Sequence, residues 1–437
     1  MTTGDDLLVA AGPSVEPGPW LGIFDELMST VAGRFPRVEP RRRARAFVLG
    51  LLADLPRKNC WTIAEHAGDG SPGGMQHFLA RARWDADAVR DDLRGYVAGH
   101  LGDPQAVLVV DETGDLKKGP ATAGVQRQYT GTAGRTENAQ VAVYLSYAGR
   151  DGHALIDREL YLPKPWTDDP DRCHAAGIPE DMVFATKPAL ARAMIARALD
   201  AGVPAAWVAG DEVYGRDPGL RAELEERQTG YVLAVACDHR VAVAAGKHRG
   251  DELAACLPRA AWQRYSAGPG AKGHRYYDWA LTGLAGGRPG HHWLLIRRSR
   301  RTRELAFYRC YAPGPVPLAT LVQVAGRRWT VEENFQAGKE LTGLDQHQVR
   351  RWASWYRWVT LAMLAAAFLT ITAATEHGHP QPEDQIPLTR TEISRLLTAT
   401  ITRPARHTDP LTWSSRRQRH QHRARTSHYQ RQAATER

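Results

Sequence analysis

Three acidic blocks hold the side chains best suited to joint chemistry. The apolar run 107–110 delivers Asp111, with Glu112 behind it. The run 205–210 delivers Asp211, with Glu212 behind it. Glu332 lies within R-R-W-T-V-E-E-N-F-Q-A-G-K, residues 327–339. The first two patterns predict strands that carry an aspartate out where the strand stops, and the third predicts a helix. Two strand-end aspartates and a helical glutamate supply hard oxygen ligands for a pair of divalent ions. Two such ions can activate a water or a 3′-hydroxyl and stabilise the leaving oxygen, which is what cutting and rejoining a phosphodiester requires.

Each acid has an acidic neighbour, and only one of each pair can face a shared site. Successive side chains on a strand point to opposite faces, and on a helix they sit about 100° apart. On the helix, Arg328, Glu332, Phe335, Gln336 and Lys339 form one stripe, and Glu333 falls off it. The stripe thus selects Glu332, and with the strand-end aspartates Asp111 and Asp211 it makes up the candidate catalytic residues and the candidate metal ligands. Carboxylates ~4 Å apart repel by about 4 kcal/mol at an effective dielectric of ~20, a conflict that bound cations remove. The candidate DNA contacts are Arg328 and Lys339 on the stripe and Lys117 and Lys118 just past the first acid, placed to hold phosphates beside the cut. Taken singly, each acid has a plainer reading. Aspartates at strand ends form turns and caps, and Glu332 among Arg and Lys makes an ordinary helical surface pair. Other site types lack support. A-G-P-G-A-K-G does not have P-loop spacing, and neither G-x-S-x-G nor H-E-x-x-H occurs. Cys173-His174 and Cys237-Asp238-His239 have no second ligand pair.

The elements that must position these residues follow an α/β pattern. After a Gly/Pro-rich, loose start (residues 1–20), residues 21–103 read as helical, with Leu21, Phe24, Leu27, Met28 and Val31 at helical spacing. W-T-I-A-E-H-A-G, a Gly/Ser/Pro turn and G-G-M-Q-H-F-L-A-R-A fit either a helix-turn-helix or a plain helical hairpin, with Arg41, Arg42, Arg43, Arg57 and Lys58 nearby for phosphates. Residues 104–237 read as the first part of a mixed sheet flanked by helices. Strands are expected at 107–110, 140–147, 154–162, 205–211 and 231–236, and helices at 188–200 and 220–227. Residues 238–316 are rich in Gly and Arg, with strand-like runs at 276–281, 292–296 and 305–311, and predict a β-rich insertion subdomain. Residues 317–376 complete the core with the glutamate helix and an apolar packing helix at 359–374, short of the ~20 residues a bilayer needs. Residues 377–437 read as a linker, a short helix near Glu392 and an arginine-rich tail.

The chain has 437 residues, 43% of them apolar and 24% charged, as in a globular protein of two or three domains. Five scattered cysteines and an acidic start without a signal-like segment point to a reducing cytoplasm. The net charge is +9. Nine arginines from Arg403 onward face only Asp409 and Glu436, so +7 of it sits in the tail. A flexible tail of this kind either solubilises the chain or favours a polyanion partner.

These residues resemble bacterial insertion-sequence transposases of the DDE type, built on an RNase H-like core. The specific likeness is R-W-T-V-E with a lysine seven residues after the glutamate, similar to the family's Y-x2-R-x3-E-x6-K signature, here Arg328, Glu332 and Lys339. The signature's tyrosine position is Ala325, a departure that touches one contact to the DNA end. D-E-T-G-D-L-K-K-G, Q-Y-T-G-T-A-G-R-T-E-N, R-E-L-Y-L-P and G-D-E-V-Y-G extend the likeness over roughly residues 20–375. The resemblance implies Asp111, Asp211 and Glu332 as the acids, spaced by 100 and 121 residues, with two Mg²⁺ or Mn²⁺ ions. It implies cleavage and strand transfer of double-stranded DNA, both terminal inverted repeats and target, by a homodimer on paired ends at the bacterial nucleoid. It also implies a β-rich insertion before the glutamate helix; in some relatives an inserted aromatic stacks on a flipped base, a role open here to Trp293 or Trp279, although strand tryptophans are more often core. The alternatives are a structure-specific nuclease on the same fold and a catalytically dead, domesticated DNA-binding protein.

Overall fold

The computed structural model describes residues 18–270, 273–285, 288–379, 386–400 and 410–435. Most of the expected loose start, and residues 380–385 and 401–409 of the expected linker and tail, lie outside these. Five helices come first: α1 (Gly18–Ala32), α2 (Val38–Leu52), α3 (Cys60–His66), α4 (Gly73–Ala80) and α5 (Ala86–Leu101). α1 buries Trp20, Phe24, Leu27, Met28 and Val31, one apolar stripe. Trp20 takes the place expected for Leu21, which is exposed. The Trp20 indole fills the core and donates from Nε1 to Glu376 at 2.7 Å. Asn59 starts α3 through a capping box, its side chain accepting from the backbone of Trp61 and Thr62. α2, α3 and α4 pack on one another.

The core follows as β1 (Val107–Leu116), β2 (Gln126–Thr130), β3 (Arg135–Ala148), β4 (His153–Leu160), α6 (Lys164–Thr167), α7 (Pro170–Ala176), α8 (Lys187–Asp200), β5 (Trp207–Gly210), α9 (Glu212–Gly215), α10 (Pro218–Glu226) and β6 (Gly230–Val235). β1 and β4 pair antiparallel with β3, while β5 runs parallel to β1 and β6 parallel to β5. The order β4-β3-β1-β5-β6, three antiparallel strands followed by two parallel ones, is the RNase H-like mixed sheet, and helices flank it. β1 is longer than its apolar run predicts. β5 accompanies it only over 107–110, ending with Val110 opposite Gly210, whereas β3 stays alongside as far as Leu116.

The stretch expected to be rich in β structure contains β7 (Arg240–Val243), β8 (Gly246–Arg249), α11 (Gly250–Cys256), β9 (Gln263–Gly270), β10 (Gly273–Gly283), β11 (His291–Arg298) and β12 (Leu305–Ala312). β7 and β8 pair with each other. β12 pairs with β6, and β11, β10 and β9 follow in turn, so these four strands lengthen the core sheet. The apolar edge of β6 would otherwise expose an unpaired ladder.

Helices complete the chain: α12 (Leu318–Arg327), α13 (Trp329–Thr342), α14 (Trp352–His377), α15 (Arg390–Thr400) and α16 (Pro410–Thr435). Gly326 lets α12 lie directly on β9, since a Cβ there would come 2.0 Å from the Ala267 carbonyl oxygen. α14 runs 26 residues, ten more than its apolar run suggests, and is long and apolar enough to cross a membrane. Its apolar side chains are instead buried within the protein, against α2, α5 and β4. The tail differs from the flexible segment expected. Residues 410–435 form a helix docked on α3, with Trp413 buried and Arg417 paired to Glu65 at 2.7 Å. Its arginines, glutamines and alanines are good helix formers once one end is anchored.

One buried ionic network joins the helical region to the core. Asp157 of β4 is fully buried and accepts from Arg90 of α5 at 2.6 Å and Arg197 of α8 at 3.0 Å. The buried Arg158 beside it donates to Asp87 and to Thr360 of α14. Arg197 also holds Glu159, which accepts from the Tyr356 hydroxyl of α14. Removing one charge from such a network leaves its partners buried and uncompensated. Asp157→Asn is expected to lower stability by about 3–5 kcal/mol, read as a lower urea midpoint. A midpoint equal to the wild type's would show the network to be inert.

Candidate active site

Strand register brings the first two acids together. Val110 and Gly210 are the last paired residues of the parallel strands β1 and β5, so Asp111 and Asp211 follow at the same level on adjacent strands. The expectation that β1 stops at Asp111 is replaced by a loss of its parallel neighbour there. Asp211 ends β5 and caps α9, accepting from the Val213 N–H at 2.8 Å.

Alternation along β1 then sorts the side chains. Asp111, Thr113 and Asp115 face α13 and the turn after it, contacting Arg328 at 3.4 Å, Lys339 at 2.7 Å and His347 at 3.1 Å. Glu112 points the other way, pairing with Lys187 of α8 at 2.7 Å and accepting from the Tyr214 hydroxyl. On α13, Glu332 and Lys339 share the face turned to β1, and Phe335 between them packs on Tyr144 with ring centroids 5.4 Å apart. Glu333 lies off that face, paired with His153 at 3.1 Å.

Arg328, at the junction of α12 and α13, ties the acids together. Its guanidinium donates to Asp111 at 3.4 Å and to Glu332 at 2.9 Å. Burial, and then the charge of Asp211, push the Asp111 carboxyl up to about 7, with Arg328 opposing them. Burial and the Glu112 charge raise Asp211, opposed by the Val213 N–H and Arg328. The carboxylates are thus short of positive charge, and one guanidinium supplies part of it. Among the described residues, no three carboxylate, imidazole or thiol groups are grouped closely enough to hold a metal ion. The donor chemistry nonetheless suits a hard divalent ion, with carboxylate oxygens and repulsion that a cation relieves.

The remaining candidates divide. Lys339 reaches the site through Thr113. Lys118 is exposed. Lys117 does not stand at the surface as expected for a phosphate contact: its side chain is 11% exposed, lies 3.8 Å from Asp115 and donates to the His347 carbonyl at 3.4 Å. Trp279 takes the core place that is commoner for a strand tryptophan, donating from Nε1 to the Tyr265 carbonyl at 3.3 Å. Trp293 is half-buried and stacks on His291. The exposed aromatic beside the acids is Trp329, on the rim of a cavity of about 520 Å³ shared by Asp211, Arg275, Arg297 and Arg328. Ala325 lines this cavity too.

Sequence reasoning missed Tyr214 and Lys187, which hold Glu112, and the buried His347–Asp115 pair. The alternation from Asp111 marks Asp115 as inward-facing, but no local pattern marks His347.

Comparisons with known proteins bear on this arrangement. The family model described as DDE superfamily endonuclease matches residues 30–256. A curated relative, described as a probable transposase for insertion sequence element IS701 from Microchaete diplosiphon, is 29% identical over 233 residues, 53% of this chain. The chain spans 58% of that relative's length. A solved piggyBac transposase synaptic complex with hairpin DNA covers 92% of this chain and 81% of its own, at 12% identity and a TM-score of 0.45, a likeness too slight to bear on function. Asp111 and Asp211 fall inside the matched family span, which takes in more than half of the chain, and the chain belongs to the DDE superfamily of endonucleases.

Proposed function

We propose that the chain is an insertion-sequence transposase that binds the ends of its element, cuts them and joins them to target DNA. The observation that carries this reading is the meeting of Asp111 and Glu332 on one guanidinium, beside Asp211 at the same level of the sheet. DDE superfamily enzymes use divalent metals. In this reading Asp111, Asp211 and Glu332 hold two Mg²⁺ or Mn²⁺ ions, which supply the activation of the attacking hydroxyl and the stabilisation of the leaving oxygen. Arg328, Lys339 and Lys118 hold phosphates beside the cut, and the rim of the 520 Å³ cavity adds Arg275 and Arg297. The helical region before β1 serves as the DNA-binding domain, and residues 238–316 as the insertion beside the site. Two element ends must be cut together, so the working unit is a homodimer on paired ends, acting at the bacterial nucleoid.

Two experiments test this reading. Asp111→Asn, Asp211→Asn and Glu332→Gln should each lower Mg²⁺-dependent cleavage of an element-end duplex by roughly 10³-fold or more and leave duplex binding intact. Strand-transfer products with the wild type separate a transposase from a nuclease, and full cleavage by the triple variant would sink the site. Arg328→Gln should remove the charge that relieves Asp111 and Glu332, lowering the stability of metal-free protein by about 1–3 kcal/mol. Added Mn²⁺ should then raise the melting temperature of the variant more than that of the wild type. An equal rise in both would mean that Arg328 does not substitute for the cation.

A further inference from the structure

A second strongly cationic site lies away from the acids, in the helical region. A cavity of about 790 Å³ between α2 and α4 is lined by Arg37, Arg43, Arg81, Arg83 and His77, against one acid, Glu39. Arg43 is engaged with Asp69 across the α3–α4 turn. Arg37, Arg81 and Arg83 are exposed, and among the described residues they form no ion pair. Like charges gathered without counter-charges cost stability unless an anion visits them.

α16 brings more cations to the same turn. It docks on α3 through Trp413 and His420, whose rings lie 6.0 and 4.9 Å from Trp61, and through Arg417 with Glu65. That docking sets the helix's rotation. Arg416 then approaches the α3–α4 turn, its Nη1 3.8 Å from where a Cβ on Gly70 would lie. Arg419 and Arg423 follow Arg416 at i+3 and i+7, on the same side of the helix, and both are exposed. The turn therefore has arginines on two sides, one group around the cavity and one along α16.

We propose that this surface is a seat for the phosphate backbone of duplex DNA, with the α2–α4 cavity and the Arg416–Arg419–Arg423 row as its two halves. The chemistry favours backbone over bases. Sites for single strands combine cations with exposed aromatic platforms, whereas here Phe78 of the cavity is buried and Trp61 is covered by Trp413 and His420. Arginine rows without stacking partners suit phosphates, which position a duplex without reading it. The choice of DNA over other polyanions rests on the proposed function. The seat deepens that reading's DNA-binding region and is distinct from the acids.

The test uses the full chain with EDTA and a labelled 30-base-pair duplex of mixed sequence, titrated by fluorescence anisotropy from 50 to 300 mM KCl. Each neutralised phosphate contact contributes about 0.9 to the log–log salt slope. The triple variant Arg37→Ala, Arg81→Ala, Arg83→Ala should flatten the slope by about 3 and weaken binding roughly hundredfold at 0.15 M salt. Arg416→Ala, Arg419→Ala, Arg423→Ala should act similarly. The corresponding lysine triples should keep the slope, because counterion release follows charge. An unchanged slope in either alanine triple, or a single-stranded DNA or RNA that binds as tightly as the duplex and loses as much, would overturn the proposal. Cleavage by the acid variants is read separately. If they still cut while the arginine triples lose slope, the enzymatic reading falls and the seat stands. If they stop cutting while the slopes hold, the reverse follows.

Discussion

The structure depends on the pairing of β1 with β5. Two parallel strands end their partnership at Val110 and Gly210, and the next residue on each is an aspartate. Side chains that leave adjacent strands at one level stay close however the loops beyond them are arranged. The cost appears in the acids, for burial and mutual charge hold Asp111 up near 7. A carboxyl placed this way is a poor choice for stability alone, and strongly shifted groups of this kind collect at functional sites.

Glu332 arrives from much later in the chain, so its position depends on how α13 is fixed. At one end Arg328 bonds Glu332 and Asp111, and Gly326 seats α12 on β9. At the other, Gly343 ends the helix in the left-handed conformation (φ 64°), and the Lys58 ammonium donates to the Leu341 carbonyl. Burial lowers Lys58 to about 8, and a helix C-terminus is where a cation is best tolerated. The Lys58 backbone also donates to Gln346 at 2.6 Å. The glutamate helix is thus pinned both by the core sheet and by the segment between α2 and α3.

Much of this was legible in the sequence because it is periodic. The helical stripe separates Glu332 from Glu333, and apolar runs locate β1, β5 and β6. What sequence reasoning missed is non-local. Nothing near residues 305–312 says that β12 will pair with β6, so that strands of the expected insertion lengthen the core sheet. Trp20 replaces Leu21 in the α1 stripe, and its N–H is accepted by Glu376, 356 residues away. The tail reads as loose because its own apolar content is small. Trp413 and His420 against Trp61, with Arg417 paired to Glu65, dock it. Lys117 reads as a surface cation because its partner His347 lies 230 residues on.

Charge ties the two sites together. Three carboxylates in one place repel any polyanion, yet a phosphodiester must come among them for the proposed chemistry. Screening limits that repulsion to about 8 Å at physiological salt, so it matters only at close approach. There Arg328 already sits on Asp111 and Glu332, and Arg275 and Arg297 line the adjoining cavity. The exposed arginines of α2, α4 and α16 act farther out, where a duplex first meets the protein. Attraction is thus built from exposed arginines on separate helices, and Arg328 compensates two of the acids. In the proposed chemistry, three negative charges can accept a negatively charged substrate only if such compensation is local and displaceable, and an arginine on a helix junction, hydrogen-bonded to two of the acids, meets both conditions.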